Sequence, residues 1–385
     1  MVREEQVHVI GSGPAGLATA AELTVRGVRA TVLERGASLG AAWRSRYDAM
    51  RFNTSRWHSH LPGAPFPRAF GQFPTRDQYV EYLEGYARAR SVAVETGTQV
   101  TRLDPGRHGG WRLTTNRGDR DADRVVVATG IFNRPCVPSW PGTEQYGGQL
   151  LHSAAYRNAE PFRAQRVLVV GAGSTGMEIA HELARGGADR VWLSVRTPPN
   201  ILLRMMNGLP ADLPVPLFLK LPETFVDRLL LGMQRRTLGD LSGYGLPLPA
   251  EGPISRLRRD GSGTAIVDPE VLDALKDGRV RVVAAVRALY DEGAVLEDGD
   301  RLGVDAVVAA TGYTTGLEDV VGHLGVLDDR GLPLDGNGAE VAQGLRFVGY
   351  VPRPGITGYV GKTARRVARE VARQVAAGPR SPVAV

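Results

Sequence analysis

The first part of the chain alternates short apolar runs with a glycine-rich turn. Val7–Ile10 is apolar and stops at a glycine, residues 17–25 carry apolar side chains at helical spacing, and Ala30–Leu33 is a second apolar run. This order of strand, turn, helix and strand predicts the start of a parallel α/β sheet.

The same order returns later in the chain. Residues 167–170 are apolar, residues 175–185 have helical spacing, and residues 191–194 are apolar again. Two further apolar runs lie at residues 125–128, before this second unit, and at residues 306–310, after it. The last alanine of each run begins the sequence Ala-Thr-Gly. The pattern predicts two α/β domains of one kind, the second interrupting the first.

Two other segments stand apart from this pattern. Residues 200–250 are rich in leucine and proline. A lid, a membrane-surface patch and a dimer contact are all open for them, and an irregular insertion with one partly buried helix is the expected form. Residues 363–377 predict a basic amphipathic helix packed on the core.

Composition excludes several functions. The single cysteine, Cys136, rules out an intrachain disulfide, a dithiol redox centre and a cysteine-only metal site, and we predict no metal. The net charge of +6 comes from arginines spread along the chain, which does not indicate a nucleic-acid arm. No apolar run approaches the ~20 residues of a membrane span, so membrane association is not expected. The first residues leave no room for a signal peptide, and we expect a cytoplasmic protein.

The first glycine-rich turn has the pattern of a dinucleotide site. Gly11, Gly13 and Gly16 stand in the order GxGxxG between a strand and a helix. The first glycine allows the tight turn, the second lets a pyrophosphate reach the backbone, and the third lets the helix pack closely on the strand. Glu34 ends the next strand, where a carboxylate accepts hydrogen bonds from a ribose diol. A purely structural turn is the alternative.

The second turn repeats the pattern as Gly171, Gly173 and Gly176. The strand that follows ends without a carboxylate, and Arg196 supplies a guanidinium suited to a 2′-phosphate. An ordinary surface arginine is the alternative. Two dinucleotide sites in one chain indicate hydride transfer from NADPH to a flavin.

These motifs predict an α/β fold with two Rossmann-like dinucleotide-binding domains, the NADP domain inserted into the FAD domain. We predict the first part of the FAD-binding domain at residues 1–160 and the NADP-binding domain at residues 161–305. The chain is then expected to return to the FAD-binding domain, with a final helix, at residues 306–385.

Three runs outside the turns carry a family resemblance. Residues 40–44 read GAAWR, residues 146–156 have the spacing YxGxxxHxxxY, and residues 310–313 read ATGY. On these residues the chain resembles the flavin-containing monooxygenases, most closely their YUCCA-like branch. Ala41 stands where the family has a second glycine, and Tyr156 is not the tryptophan of typical Baeyer–Villiger enzymes.

The resemblance implies the chemistry of that family. FAD in the first domain is reduced by NADPH in the second, and the reduced flavin reacts with O₂ to form a C4a-(hydro)peroxyflavin that oxygenates a small molecule. Asn53 falls where heteroatom-oxidising members carry an active-site asparagine and is expected to be catalytic. An ordinary turn-forming asparagine is the alternative. His152 either meets a cofactor or only ties the linker between the domains.

The turns and the resemblance together predict one set of cofactor-binding residues. Its members are Gly11, Gly13, Pro14, Ala15, Gly16, Glu34, Arg35, Trp43, Asn53, Thr54, Val100, Thr129, Gly130, His152, Gly171, Gly173, Ser174, Thr175, Gly176, Ser194, Arg196, Thr311 and Gly312.

Several functions remain open from the sequence. The leading one is an NADPH- and O₂-dependent FAD monooxygenase that acts on a nitrogen, sulfur or small aromatic substrate. The YUCCA-like resemblance suggests oxidative decarboxylation of an indole-3-pyruvate-type 2-oxo acid as an alternative. An NADPH-dependent flavin reductase with a protein partner and a non-catalytic redox sensor are the rivals. The expected partners are O₂ and a small molecule, without nucleic acid, and a homodimer is left open.

Overall fold

Two sheets dominate the molecule. The structure is a computed structural model, and it describes residues 5–107, 109–261 and 263–377. The first sheet has six strands, parallel except for its first pair, in the order Asn337–Ala342, Leu345–Val348, Arg124–Val127, Val7–Ile10, Ala30–Leu33 and Ala93–Glu95. The second has five parallel strands in the order Val280–Val283, Arg190–Ser194, Arg166–Val170, Ala306–Ala309 and Gln149–His152. The predicted fold class is confirmed.

Two strands near the predicted domain limits pair within the second sheet. Ala306–Ala309 pairs in parallel with Arg166–Val170 and with Gln149–His152, so Ala306–Ala309 and the edge strand Gln149–His152 both belong to the second sheet. The prediction assigned these two strands to the FAD-binding domain, before residue 160 and after residue 306. A short run of alanine and valine fits a buried parallel strand in either sheet, and its pattern alone does not select the partner. The chain rejoins the first sheet at Asn337–Ala342.

Smaller strands border these two sheets. Three-stranded antiparallel sheets are formed by Val100–Pro105, Trp111–Thr115 and Arg120–Ala122, and by Val286–Tyr290, Gly293–Leu296 and Arg301–Gly303. Two-stranded pairs join Arg134–Pro135 with Tyr313–Thr314, Ile201–Leu203 with Ala265–Val267, and Met205–Met206 with Leu209–Pro210.

Helices cover both sheets. They span Pro14–Thr24, Ala41–Arg44, Arg56–Ser59, Arg76–Ala89, Ser174–Arg185, Val215–Phe218, Glu223–Leu238, Pro253–Asp260, Pro269–Lys276, Glu318–Val321 and Ile356–Ala376. Short 3₁₀ turns lie at Arg68–Phe70, Thr143–Gln145, Glu160–Phe162, Ser242–Tyr244 and Gly322–Leu324. Within the three described ranges, no helix has the length and apolar character to cross a membrane.

The first and last helices pack on each other across the FAD-side core. Pro14–Thr24 buries Leu17, while Ile356–Ala376 buries Ala364 and Val367, all in one apolar cluster. The final helix begins earlier than its predicted start at residue 363 because its first turns also bury apolar side chains. The predicted ranges of the FAD-binding domain include residues 1–4 and 378–385, which lie outside the described residues.

The leucine- and proline-rich segment contains one longer helix, as predicted. Glu223–Leu238 buries Val226 and Leu230 on one face and exposes Phe225 on another. The shorter pieces before it include the hairpin of Met205–Met206 with Leu209–Pro210. An irregular insertion with a partly buried helix is therefore the form that this segment takes.

Candidate active site

The first glycine-rich turn leaves an open space at its second glycine. A Cβ at Gly11, where φ is +103°, would lie 2.7 Å from the carbonyl oxygen of Ala128, and one at Gly16 would lie 1.9 Å from that of Gly11. These glycines are required by the protein's own packing. A Cβ at Gly13 would meet nothing within 4 Å. Crowding at the first and third glycines with space at the second fits a pyrophosphate at Gly13.

The second turn has the same asymmetry. A Cβ at Gly171, where φ is +109°, would lie 2.5 Å from the Ala310 carbonyl oxygen, and one at Gly176 would lie 1.8 Å from that of Gly171. Gly173 again has open space, with nothing within 4 Å of a Cβ. Each turn leads into a helix, at Pro14–Thr24 and Ser174–Arg185, whose first N–H groups are suited to anions.

Four residues beside the glycines lie at the starts of the two helices. Pro14 is the first residue of its helix, Ala15 is buried beside it, and Ser174 Oγ accepts a hydrogen bond from the Ile266 backbone at 2.9 Å. Thr175 lies in the first turn of the second helix. The Ser174 hydroxyl therefore joins the NADP-side turn to the strand Ala265–Val267.

The acid at the end of the second strand is fixed in place. Glu34 Oε2 accepts hydrogen bonds from the Ser12 backbone at 2.9 Å and from the Ser12 hydroxyl at 2.6 Å, and Oε1 accepts from the Gly36 backbone at 2.7 Å. Carboxylate oxygens have further lone pairs, so the group can also accept from a ribose diol. Arg35, the next residue, is exposed.

The corresponding strand end of the second domain is different. Ser194 is buried, and its hydroxyl donates to the Ala284 carbonyl at 2.9 Å, so it fixes the strand end. Arg196 is exposed and has no hydrogen bond or ion pair with any residue that the structure describes. An unengaged guanidinium at this position fits a 2′-phosphate.

The Asn53 loop rests on an aromatic cluster. Phe52 stacks on Trp43 with ring centroids 5.3 Å apart and planes 6° apart, and Tyr79 meets both rings edge-on at 4.5 Å. Asn53 itself is exposed, whereas Thr54 pairs its hydroxyl with that of Ser59 at 2.7 Å. The rings pack beside the backbone of the asparagine, and its side chain is exposed.

A buried polar cluster adjoins the loop on the NADP side. Arg204, 4% exposed, donates from Nη2 to Glu178 Oε1 at 2.5 Å and to Asn53 Oδ1 at 3.4 Å, and its Nη1 lies 3.2 Å from Asp268 Oδ2. The Tyr47 hydroxyl donates to the other oxygen of Glu178. Burial raises the pKa of Glu178, although Arg204 opposes the shift, and burial first and Glu178 second raise the pKa of Tyr47.

A second acid holds the other end of the same loop. Asp212 Oδ2 accepts from the Ser55 backbone at 2.7 Å and from the Ser55 hydroxyl at 2.9 Å, and lies 3.0 Å from His58 Nδ1. The sequence analysis missed Arg204 and Asp212. The available signal for Arg204 is a single charge within the apolar run ILLRMM; Asp212 has no comparable signal because its partners lie far away in sequence.

The Ala-Thr-Gly turns lie at the ends of one strand in each sheet. Thr129 donates from its backbone to the Tyr350 hydroxyl at 3.0 Å and pairs its own hydroxyl with the same atom at 2.8 Å. Thr311 donates to the Cys136 carbonyl. Gly130 and Gly312 both have positive φ, and a Cβ at either would meet nothing within 4 Å. These turns leave open space at the strand ends, as a cofactor site requires.

Two of the predicted cofactor-binding residues use their side chains for contacts within the protein. His152 is buried; its Nδ1 accepts from the Ala154 backbone at 3.0 Å, so its Nε2 is the donor to the Gly312 carbonyl at 2.9 Å. Burial lowers its pKa, which favours the neutral ring. Both nitrogens are thus used within the protein, and the geometry favours the linker alternative. Val100 points into the core beside Leu103, leaving only its backbone for a ligand.

The fold and the two turns define a flavoprotein with two dinucleotide-binding domains. A family model described as pyridine nucleotide-disulphide oxidoreductase matches residues 8–200. The single cysteine excludes the disulphide chemistry in that description. The rice (Oryza sativa subsp. japonica) indole-3-pyruvate monooxygenase YUCCA1 is 36% identical over 94% of this chain and 90% of its own length. A probable indole-3-pyruvate monooxygenase of Arabidopsis thaliana, YUCCA4, is 31% identical over 91% and 86%.

Solved structures agree on the architecture. A flavin-containing monooxygenase from Stenotrophomonas maltophilia has a TM-score of 0.72 at 24% identity, covering 96% of this chain and 98% of its own. A complex of OTEMO with FAD and NADP has a TM-score of 0.74 at 16% identity, covering 98% and 86%. The chain belongs to the class B flavin monooxygenases, in their YUCCA-like branch, which confirms the resemblance and the enzyme class. FAD and NADPH, the cofactors expected from the sequence, are those of this family.

Proposed function

We propose that the protein oxygenates an aromatic 2-oxo acid of the indole-3-pyruvate type. The acid R–CH₂–CO–COOH, O₂, NADPH and H⁺ would give R–CH₂–COOH, CO₂, NADP⁺ and H₂O. One oxygen atom enters the new carboxyl group as the bond between the two carbonyl carbons breaks, and the other is reduced to water. The observation that carries the substrate class is the similarity to named indole-3-pyruvate monooxygenases over almost the whole chain.

The residues at the two turns fit the two cofactors. FAD would lie on the Gly11–Gly16 turn beside Glu34, and NADPH on the Gly171–Gly176 turn, where the open Gly173 and the unengaged Arg196 support its phosphates. Bound there, FAD would accept a hydride from NADPH and activate O₂. The open space at Gly13 and at Gly173 supports this fit, because a side chain at either position would occupy the room that the phosphates need.

Around that chemistry, the chain's own residues exclude water and orient donors. The rings of Trp43, Phe52 and Tyr79 pack against one another behind the Asn53 loop and would keep water from that side. The loop leaves the Asn53 amide exposed, and a fixed donor there would stabilise developing negative charge on oxygen. A closed, preorganised site limits the wasteful release of H₂O₂.

A substrate competition tests the 2-oxo acid class. Indole-3-pyruvate, phenylpyruvate, a thioether and a tertiary amine would be offered separately with NADPH in air, and products quantified by mass spectrometry. We expect the 2-oxo acids to give the shortened carboxylic acids with one CO₂ for each NADPH consumed. NADPH consumption matched by H₂O₂ alone with both oxo acids would contradict the proposal.

Heteroatom oxygenation is the second candidate, favoured by one observation. Asn53 is an amide at the position where the resemblance places an asparagine in heteroatom-oxidising members, and its side chain is exposed. In the same competition, a sulfoxide or N-oxide formed faster than any shortened acid would favour this function over the first. Such a result would keep the monooxygenase class and change only the substrate.

A further inference from the structure

The two residues that flank the hairpin at the start of the leucine- and proline-rich segment each form a hydrogen bond with the Asn53 loop. Arg204, just before the hairpin, reaches Asn53, and Asp212, just after it, binds Ser55 through both its backbone and its hydroxyl. The loop belongs to the first domain in sequence, whereas the hairpin follows the strands of the second. These contacts therefore connect the second domain to the Asn53 loop of the first.

The contact with Arg204 favours one orientation of the Asn53 amide. A guanidinium carries only N–H donors, so it can pair with the amide oxygen and not with the amide nitrogen. The 3.4 Å contact joins Nη2 to Oδ1, which directs the NH₂ group of Asn53 away from the arginine. A turn asparagine without this contact could present either group.

Arg204 is itself held rigidly. It is 4% exposed, and Glu178 and Asp268 take its two terminal nitrogens at 2.5 and 3.2 Å. Glu178 lies on the helix Ser174–Arg185, directly after the second glycine-rich turn. Two carboxylates anchor the guanidinium, so its direction follows the helix that the NADP-side turn begins.

We infer that Arg204 is a positioning residue that orients Asn53 so that its amide NH₂ serves as the donor at the oxygenation site. The inference rests on the proposed monooxygenase function and adds how the donor is oriented. Arg204 contacts neither cofactor nor substrate in this assignment; it acts through Asn53. Its anchor on the NADP-side helix makes the orientation of Asn53 dependent on the second domain.

Two variants separate this role from a purely structural ion pair. Arg204→Lys keeps the positive charge between Glu178 and Asp268 but lacks the planar fork that also reaches Asn53. Arg204→Met removes both, and leaves the largely buried Glu178 and the more exposed Asp268 without their arginine partner. The matched control is Arg102→Met, which removes an exposed arginine whose ion pair is with Asp104 in an antiparallel sheet.

The measured quantity is the ratio of H₂O₂ released to product formed, alongside flavin reduction by NADPH without oxygen. A fixed donor of this kind is worth about 10²–10³ in rate, so partial misorientation should raise the H₂O₂ ratio about tenfold in Arg204→Lys. Flavin reduction should change much less than this ratio, and Arg102→Met should match the wild type in both. A structural ion pair restored by lysine would instead leave the ratio unchanged, which would overturn the inference.

A double-mutant cycle with Asn53→Ala supplies a second test. If Arg204 acts through Asn53, adding Arg204→Lys to Asn53→Ala should raise the H₂O₂ ratio no further. Additive effects would mean independent roles and would also overturn the inference. NADP⁺ binding, followed by the change in the flavin visible spectrum, gives a readout that does not need turnover: the spectral shift should differ between wild type and Arg204→Lys. A wild type that forms no product with any substrate would refute the proposed function instead.

Discussion

Glu34 and Ser12 are joined by two hydrogen bonds to one carboxylate oxygen, from the Ser12 backbone at 2.9 Å and from its hydroxyl at 2.6 Å. The residue between the first two glycines is thus tied to the acid at the end of the neighbouring strand. We expect Ser12→Ala to cost about 1 kcal/mol of folding free energy through the lost hydroxyl bond and to weaken FAD retention. Denaturant unfolding and the flavin content of the purified protein check both effects; an unchanged content would show that Glu34 needs no such support.

Gly13→Ala should give a folded protein without its flavin. Gly13 has φ −71° and ψ −179°, which any residue adopts, and nothing lies within 4 Å of the new Cβ. The added methyl group fills only the space that we assign to the pyrophosphate. Thermal unfolding of the apoprotein should be near that of the wild-type apoprotein, while the flavin absorbance is lost.

Two matched glycine variants sharpen that result. Gly85→Ala, at a helical glycine that also has open space, should keep the flavin. Gly16→Ala should instead destabilise the protein, because its Cβ would lie 1.9 Å from the Gly11 carbonyl oxygen. A yellow, fully loaded Gly13→Ala protein would remove the pyrophosphate from this turn.

Arg196→Ala should discriminate between the two nicotinamide dinucleotides. A charge-assisted hydrogen bond to the 2′-phosphate is worth about 1.5–3 kcal/mol, which corresponds to roughly 10- to 100-fold weaker NADPH use with little change for NADH. The control is Arg279→Ala, which removes another exposed arginine of the second domain, paired with Asp277. Steady-state kinetics with each dinucleotide measures the effect, and equal losses for both would exclude Arg196 from the phosphate site.

Folding stability should fall as the solution becomes acidic, in part because of His152. Its folded-state pKa lies below the ordinary value of 6.5, since burial disfavours the charged ring. Below pH 6.5 the unfolded chain therefore binds protons that the folded chain does not, and stability decreases as pH falls. His152→Asn should flatten this dependence without abolishing it, because His8 and His181 are shifted in the same direction. Melting temperatures across this pH range test it, and an unchanged slope in the variant would contradict the assignment.

Asn53→Leu should separate NADPH consumption from oxygenation. Leucine is similar in size but has no donor, and loss of a positioned donor costs about 10²–10³ in the step that it supports. We expect a protein that binds FAD and consumes NADPH in air but releases H₂O₂ in place of product. Unchanged product yield would make Asn53 an ordinary turn residue.

The glycine-rich turns could be predicted from the sequence because the GxGxxG spacing between a strand and a helix is a local pattern. Gly16 is required by the Gly11 carbonyl within the same turn, whereas Gly11 is crowded by Ala128, which only the folded chain brings beside it. The sheet that receives Ala306–Ala309 could not be predicted, since its apolar pattern suits either sheet. Arg204 and Asp212 could not be predicted either, because their partners on the Asn53 loop are distant in sequence and only the folded chain brings them together.

The central claim is that the enzyme transfers one atom of O₂ to its substrate. Turnover under ¹⁸O₂ with indole-3-pyruvate and NADPH tests this most directly, with the product acid, CO₂, H₂O₂ and NADPH all quantified. We expect one ¹⁸O in the carboxyl group of each product molecule, with product and consumed NADPH in equal amounts. Product without ¹⁸O, or NADPH oxidation that yields only H₂O₂ with every substrate of the competition, would contradict it.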